Sequence, residues 1–336
     1  MTGDASDERP PREAGGGYRE YATRYHAPVL CNAVVDNLIT DHAGTYVDGT
    51  LGGGGHTAAL LDALKTEGRV VGIDRDEQAC VEANGRLRSA VEQGRLTILR
   101  GDFAEMESLL AAQRISSVDG VLLDLGVSSR QLDEAERGFA YMLDGPLDMR
   151  MDTQSATSAF DLVNAWSESD LRHILREYGE EPRASRIARA ICGARPLETT
   201  GQLATVVRSC VSRADEIKTL SRVFQALRLT VNGEIEALEC VLESATRIVR
   251  TGGRIAVISY HSLEDRRVKR FLRFGNFEGE SRKDIYGNLL TTWSPITRRP
   301  VLPDKDELEA NPRARSARLR ISKRTSEAVK SGEKQN

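Results

Sequence analysis

Four consecutive glycines, Gly52 to Gly55, stand between an acid and a histidine in the segment DGTLGGGGHT, which runs from Asp48 to Thr57. Glycines at such a turn let the backbone approach a ligand closely and take positive φ. A helix starting directly behind them offers unpaired N–H groups in its first turn. On its own the pattern fits a nucleotide-like ligand and equally a tight turn that binds nothing. The acids that follow narrow it. Asp74 lies twenty residues beyond Gly54, where a carboxylate accepts hydrogen bonds from ribose hydroxyls in a doubly wound sheet. Asp102 precedes Phe103, a pair suited to adenine: the acid accepts from its amino group and the ring covers it. Asp124 closes the apolar run VDGVLLD beside the expected transfer site.

Two cofactors compete for this pattern. A nicotinamide dinucleotide wants its pyrophosphate on the helix N-terminus directly after the first strand. Here Asp48 comes first, and a carboxylate repels a pyrophosphate while it attracts the amino group and sulfonium of S-adenosylmethionine. The residues favour S-adenosylmethionine, with Asp48, Asp74, Phe103 and Asp124 as contacts.

Such contacts require a scaffold that brings several strand ends to one edge. Thr45–Asp48, Val70–Asp74, Leu96–Leu99 and Val118–Asp124 read as strands, separated by helical stretches at His56–Lys65, Glu77–Leu87 and Ala104–Gln113. Strands alternating with helices predict a parallel, doubly wound sheet. From about residue 138 the pattern changes. Ser167 reads as a helix cap with Asp170 three residues on, and Leu171, Ile174, Leu175 and Tyr178 follow at helical spacing. Ile187, Ala188 and Ile191, then Leu203, Val206, Val207 and Cys210, then Leu220–Leu229 and Ile235–Val249 continue in the same way, the last expected to rejoin the sheet. Gly252-Gly253 reads as a turn before a buried strand at Arg254–Tyr260, and Ala317–Ser322 as an edge strand. The fold class expected is α/β: a doubly wound, mostly parallel sheet with an inserted helical domain. The boundaries expected are a disordered leader at 1–24, a discontinuous sheet domain at 25–137 plus 236–324, a helical insertion at 138–235, and a disordered tail at 325–336.

Composition limits the function classes. The 336 residues carry a net charge of −3, so a nucleic-acid partner must be held by local basic patches rather than by the whole surface. No run of about 18 apolar residues exists to span a membrane, and the first residues have no apolar signal core. Five cysteines without a C-x-x-C pair read as reduced thiols in the cytoplasm, with no metal site.

Four blocks of the sequence resemble the bacterial RsmH (MraW) family of 16S rRNA cytosine-N4 methyltransferases: HAPVL from His26, DGTLGGGGHT from Asp48, LLDLGVSSRQLDEAERGFAYMLDGPLDMRMD from Leu122, and ISYHSLEDRRVKRF from Ile258. RVFQALRLTVNGE (222–234) and NPRARSARLR (311–320) add to it, so the resemblance covers about 25–324. It implies a class I, Rossmann-like methyltransferase fold with an inserted helical substrate-recognition domain. It implies methylation at N4 of one cytidine in the decoding region, with 16S rRNA in the small ribosomal subunit as partner, a homodimer left open and no membrane. The cofactor contacts it carries over are Gly54, Gly55, His56, Asp74, Phe103, Asp124 and Gln131. Arg130 replaces a usual proline, Gly233 a usual acid, and Arg267 adds a base.

An exocyclic cytosine amine is a weak nucleophile, because its lone pair is shared with the ring. An enzyme helps by accepting hydrogen bonds from the amine while aligning it. The loop after Asp124 makes Asp124 and Ser128 the expected acceptors, although the serines also read as helix caps. His261 follows the last apolar strand and is expected to face the same pocket, unless it is structural. Asp148 is a further acid without a derived role. Carbon-5 methylation needs a cysteine nucleophile, and none stands in these blocks. For RNA, Arg183, Arg186 and Arg189 recur every three residues, and Arg266, Lys269, Arg270, Arg313 and Arg315 are the other expected phosphate contacts. The residues by themselves leave open a methyltransferase acting on DNA or protein, and a nucleotide-binding module without catalysis.

Overall fold

A computed structural model describes residues 28–281, 283–285 and 291–326. The expected leader, His26 of the first block and all but two residues of the expected tail lie outside the described residues.

Helix α1 (Cys31–Leu38) leads into β1 (Thr45–Asp48), and the glycine turn opens α2 (Gly55–Ala63). There follow β2 (Arg69–Asp74), α3 (Glu77–Arg86), the short α4 (Arg88–Glu92), β3 (Leu96–Arg100), a 3-10 turn at Phe103–Glu105, α5 (Met106–Ala112) and β4 (Val118–Asp124). A helical block comes next: α6 (Ser129–Asp133), α7 (Ala159–Ala165), α8 (Glu168–Glu177), α9 (Ala184–Gly193), α10 (Thr200–Ser209) and α11 (Glu216–Asn232). The chain returns through α12 (Glu234–Ile248), β5 (Val249–Ser259), α13 (Ser262–Phe274), β6 (Trp293–Pro295), α14 (Lys305–Ala310) and β7 (Arg318–Arg324).

The sheet has the order β3-β2-β1-β4-β5-β7-β6. β1 to β5 are parallel, β7 pairs antiparallel with β5, and β6 antiparallel with β7. This is the doubly wound, mostly parallel α/β sheet read from the sequence. The central strands are apolar on both faces, as a sheet covered on both sides requires. Side chains alternate between two cores with period two. Tyr46, Leu122, Ala256 and Ile258 pack on α1 and α2. Val47, Val121, Leu123, Ile255 and Val257 pack on α5, α12 and α13. A third buried cluster, drawn from Phe139 to Leu227, belongs to the helical block.

Four local expectations change. Gly252-Gly253 lies within β5, where the pairing with β4 slips between Val118 and Gly120; Gly252 takes φ +93°, so the pair makes a bulge rather than a turn. The strand at Arg318–Arg324 is interior, because the three residues Trp293–Pro295 form the edge beyond it. The helix expected from Ala104 starts as the 3-10 turn at Phe103. Helices α1, α7 and α13 are not among the expected elements; the seven residues of α7 are too few for a periodic signal, and a Ser158–Asp161 capping box starts it. Gly233, the departure from the family pattern, takes φ +58° where α11 ends. That left-handed position suits glycine better than an acid. Among the described residues no helix is long and apolar enough to cross a membrane.

Candidate active site

The carboxyl ends of β1, β2 and β4 open into a cleft enclosing about 1230 Å³, solvent at its mouth included. The glycine turn, Asp74, Phe103 and the loop after Asp124 supply one group of its lining residues, and Met151, Glu234, Leu238, Tyr260 and Glu264, from later in the chain, supply a second. Parallel strands position this edge, since consecutive βα units put every strand's carboxyl end on the same side.

Of the expected contacts, Gly55, His56, Asp74, Phe103, Asp124, Ser128 and Gln131 reach the cleft wall. Asp48 and Gly54 do not. Asp48 is 1% exposed beneath the turn, where Oδ2 accepts from Thr57 Oγ1 at 2.7 Å and Oδ1 from Thr50 N at 3.2 Å. Burial, outweighing the neighbouring His56, raises its pKa. Gly54 has φ +73°, and a Cβ there would come within 2.9 Å of Leu87 Cδ1. Its part is to shape the turn.

Asp74 accepts from Gly52 N (2.8 Å) and Asp76 N (2.9 Å), which leaves lone pairs on both carboxylate oxygens for a ligand. Its removal from bulk water pushes its pKa up to about 6. Asp102 is turned away from the cleft: it caps the 3-10 turn through Ala104 N and pairs with Arg75 at 3.1 Å. Asp102, expected to accept from the adenine amine, is not among the residues that line the cleft. His56 Nε2 lies 2.9 Å from the Val29 carbonyl, and Nδ1 lies 3.6 Å from Asp124 Oδ2.

Ser128 caps α6 in a reciprocal box with Gln131, whose amide nitrogen also donates to Asp76 at 3.2 Å. The capping role of the serine is thus real, and its hydroxyl still borders the cleft. His261 is displaced from the cleft for the same kind of reason. It caps α13, with Nδ1 accepting from Glu264 N at 3.4 Å and Nε2 3.0 Å from Glu264 Oε1. Asp148 forms a bidentate pair with Arg150. Cys80 packs against the carbonyl of Asp74, and burial, followed by the charges of Asp74 and Asp76, pushes its thiol up to about 12. It supplies no thiolate to the site.

Several wall residues are not among the expected contacts. Tyr260 directly follows β5, and its hydroxyl donates to Asp124 Oδ1 at 2.9 Å. Burial and the nearby Asp124 carboxylate raise its pKa well above 10, so it stays a donor. The rule that strand ends carry function would have found it. Glu234 accepts two hydrogen bonds from Arg228, at 2.9 and 3.0 Å. Glu264 accepts from Tyr260 N at 2.9 Å.

The expected RNA contacts are mostly exposed and mostly paired. Arg183 meets Asp215 at 2.8 Å, Arg189 meets Glu168 at 3.6 Å, Arg266 meets Glu180 at 2.5 Å and Arg313 meets Asp133 at 2.6 Å. Arg186 donates to Ser209 O and Arg270 to Phe277 O. Lys269 and Arg315 are exposed.

Residues 23–325 match the MraW methylase family. The chain is 46% identical over 328 residues to a ribosomal RNA small subunit methyltransferase H from Chlorobium luteolum, covering 90% of this chain and 97% of the relative. It is 47% identical over 319 residues to a protein of the same name from Chlorobium chlorochromatii, covering 88% and 95%. A third of that name, from Granulibacter bethesdensis, is 44% identical over 320 residues, covering 92% and 94%.

Proposed function

This chain belongs to the MraW methylase family, and from that premise we propose that it is a cytoplasmic, S-adenosylmethionine-dependent methyltransferase acting on the N4 amino group of a cytidine in the decoding region of 16S rRNA. The observation that carries the cofactor reading is the row of carboxylates along the cleft: Asp74, Asp76, Glu82 and Asp124 all line it. Carboxylates suit an ammonium group and a sulfonium and are wrong for a pyrophosphate. The residues present fit S-adenosylmethionine.

S-adenosylmethionine supplies a sulfonium-activated methyl group. Asp74 accepts from the ribose hydroxyls, Phe103 covers the adenine, and Gly55, the first residue of α2, borders the donor at the turn. Asp124 and Ser128 accept from the cytosine amine and align it for transfer. Gln131 fixes the loop that carries Ser128. Asp48, Gly54 and His261 act from beneath, holding the turn and the end of β5. Residues 138–235 are read as the substrate-recognition domain.

Arg183, Arg186, Arg189, Arg266, Lys269, Arg270, Arg313 and Arg315 remain the proposed phosphate contacts. A surface ion pair is worth only ~0–1 kcal/mol, so a phosphate can replace its carboxylate at small cost. The relatives' shared name supports the small ribosomal subunit as the partner. The test is a nucleoside map of small-subunit rRNA from cells lacking the protein. Loss of 4-methylcytidine at one position is the expected result; an unchanged map excludes this substrate.

A further inference from the structure

The backbone of the segment Asp148–Asp152 is held by two side chains from elsewhere in the chain. Arg137 donates through Nη2 to the carbonyls of Arg150 and Met151, both at 3.1 Å, while its Nη1 meets Asp76 at 3.2 Å. Asn232, the last residue of α11, accepts from Met151 N and donates to Met149 O, both at 2.8 Å. Met149 takes φ +61°, a left-handed conformation that disfavours any side chain. Met151, with N and O both bound by side chains from elsewhere, lines the cleft together with Phe103, Gly101 and Asp74.

One guanidinium links the two flanks of this slot. Arg75 Nη2 lies 2.9 Å from Met151 Sδ, and Arg75 Nη1 lies 3.1 Å from Asp102 Oδ2, one residue before Phe103, and 3.0 Å from Asn232 O. Phe103 itself is backed by the core that contains Leu238. A flat aromatic ligand entering here meets both the Phe103 phenyl group and the Met151 thioether. Thioether sulfur is polarizable and packs well against aromatic rings.

We infer that Met151 completes the adenine slot of the donor site as a cofactor-binding residue, and that Arg75, Arg137 and Asn232 are its positioning residues. This rests on the reading of the cleft as an S-adenosylmethionine site. It makes the donor pocket a joint product of the sheet and the helical block, so a shift of that block alters donor affinity.

Calorimetric titration of the full chain with S-adenosylhomocysteine and with adenosine tests this. Met151→Ala is expected to weaken both by about tenfold, the loss of a few buried methylene equivalents. Met151→Leu, which keeps the volume, is expected to stay within about threefold of wild type. Arg137→Met is expected to weaken both ligands although it contacts neither. Wild-type affinity in Met151→Ala, or equal loss in Met151→Leu, overturns the assignment of Met151 while the donor site stands. Wild-type affinity in Arg137→Met overturns its positioning role. Failure of the wild-type chain to bind either ligand overturns the donor site itself, and this inference with it.

Discussion

Asp74 on the sheet wall of the cleft and Glu264 on the other wall are held in opposite ways. On the sheet wall, Asp74 is met by backbone N–H groups, and its loss of solvent raises its pKa to about 6. On the facing wall, Glu264 is 3% exposed; burial raises its pKa, but His261 and Arg228 outweigh burial and bring it below 4.5. Arg228 between Glu234 and Glu264 is likewise driven up by its partners against the effect of burial. An acid whose charge is uncompensated is poised to accept from a ligand, whereas an acid already neutralised by an arginine holds helices together. The same residue type thus serves binding on one side and architecture on the other. Burial alone does not tell the two apart; the partner does.

Substitutions at matched positions should separate the two roles. Arg228→Met leaves Glu234 as a buried, unpaired charge and takes one partner from Glu264, and should cost ~3–5 kcal/mol of stability by urea unfolding. A loss under about 1 kcal/mol would show that this wall is not held by its ion pairs. Asp74→Asn should do the reverse. The folded chain binds a proton at Asp74 more tightly than the unfolded chain does, so its ionisation opposes folding above pH 6. Asparagine removes that penalty, and the variant should be as stable as wild type or more so at pH 7.5. Its affinity for S-adenosylhomocysteine should nevertheless fall roughly 10- to 100-fold, with the loss of charge-assisted bonds to the ribose.

Acid should act on the two walls in the same direction but over different ranges. Donor affinity in the wild type should fall by about tenfold per pH unit below 6, as Asp74 protonates; the same titration of Asp74→Asn should be flat there. Glu264, with a depressed pKa, contributes stability that is fully present above 4.5 and is lost as pH falls through its folded value. Donor binding should therefore weaken before the fold does, and coincident transitions would contradict the division of roles. The smallest effect is expected on the surface. Arg313→Ala removes an exposed pair with Asp133 and should change stability by under ~0.5 kcal/mol, while reducing the salt dependence of RNA binding by about one phosphate contact.

The sheet wall was readable in the sequence because it is written locally. β1 and β4 begin and end where the apolar runs predict, and each run stops at an acid. The facing wall is assembled over long separations. Arg75 meets Asn232 across 157 residues, and Tyr260 meets Asp124 across 136; no periodicity encodes either contact. The misplacements have one cause as well. Asp48 and His261 have the right residue type next to the right strand ends, but each has a nearer backbone or side-chain partner: Thr57 for the acid, and the first turn of α13 for the histidine. Sequence shows that a polar group stands at an edge, and only packing shows what satisfies it.

Methyl transfer from S-adenosylmethionine to a cytosine amine at the acid-lined edge can be measured by incubating the purified chain with methyl-labelled donor and small ribosomal subunits from cells lacking the protein, then digesting the rRNA and identifying the labelled nucleoside. Label is expected in 4-methylcytidine at a single position, reduced about 10²- to 10⁴-fold in rate by Asp124→Asn. Label in any other nucleoside, or none in rRNA with an intact donor site, would contradict it.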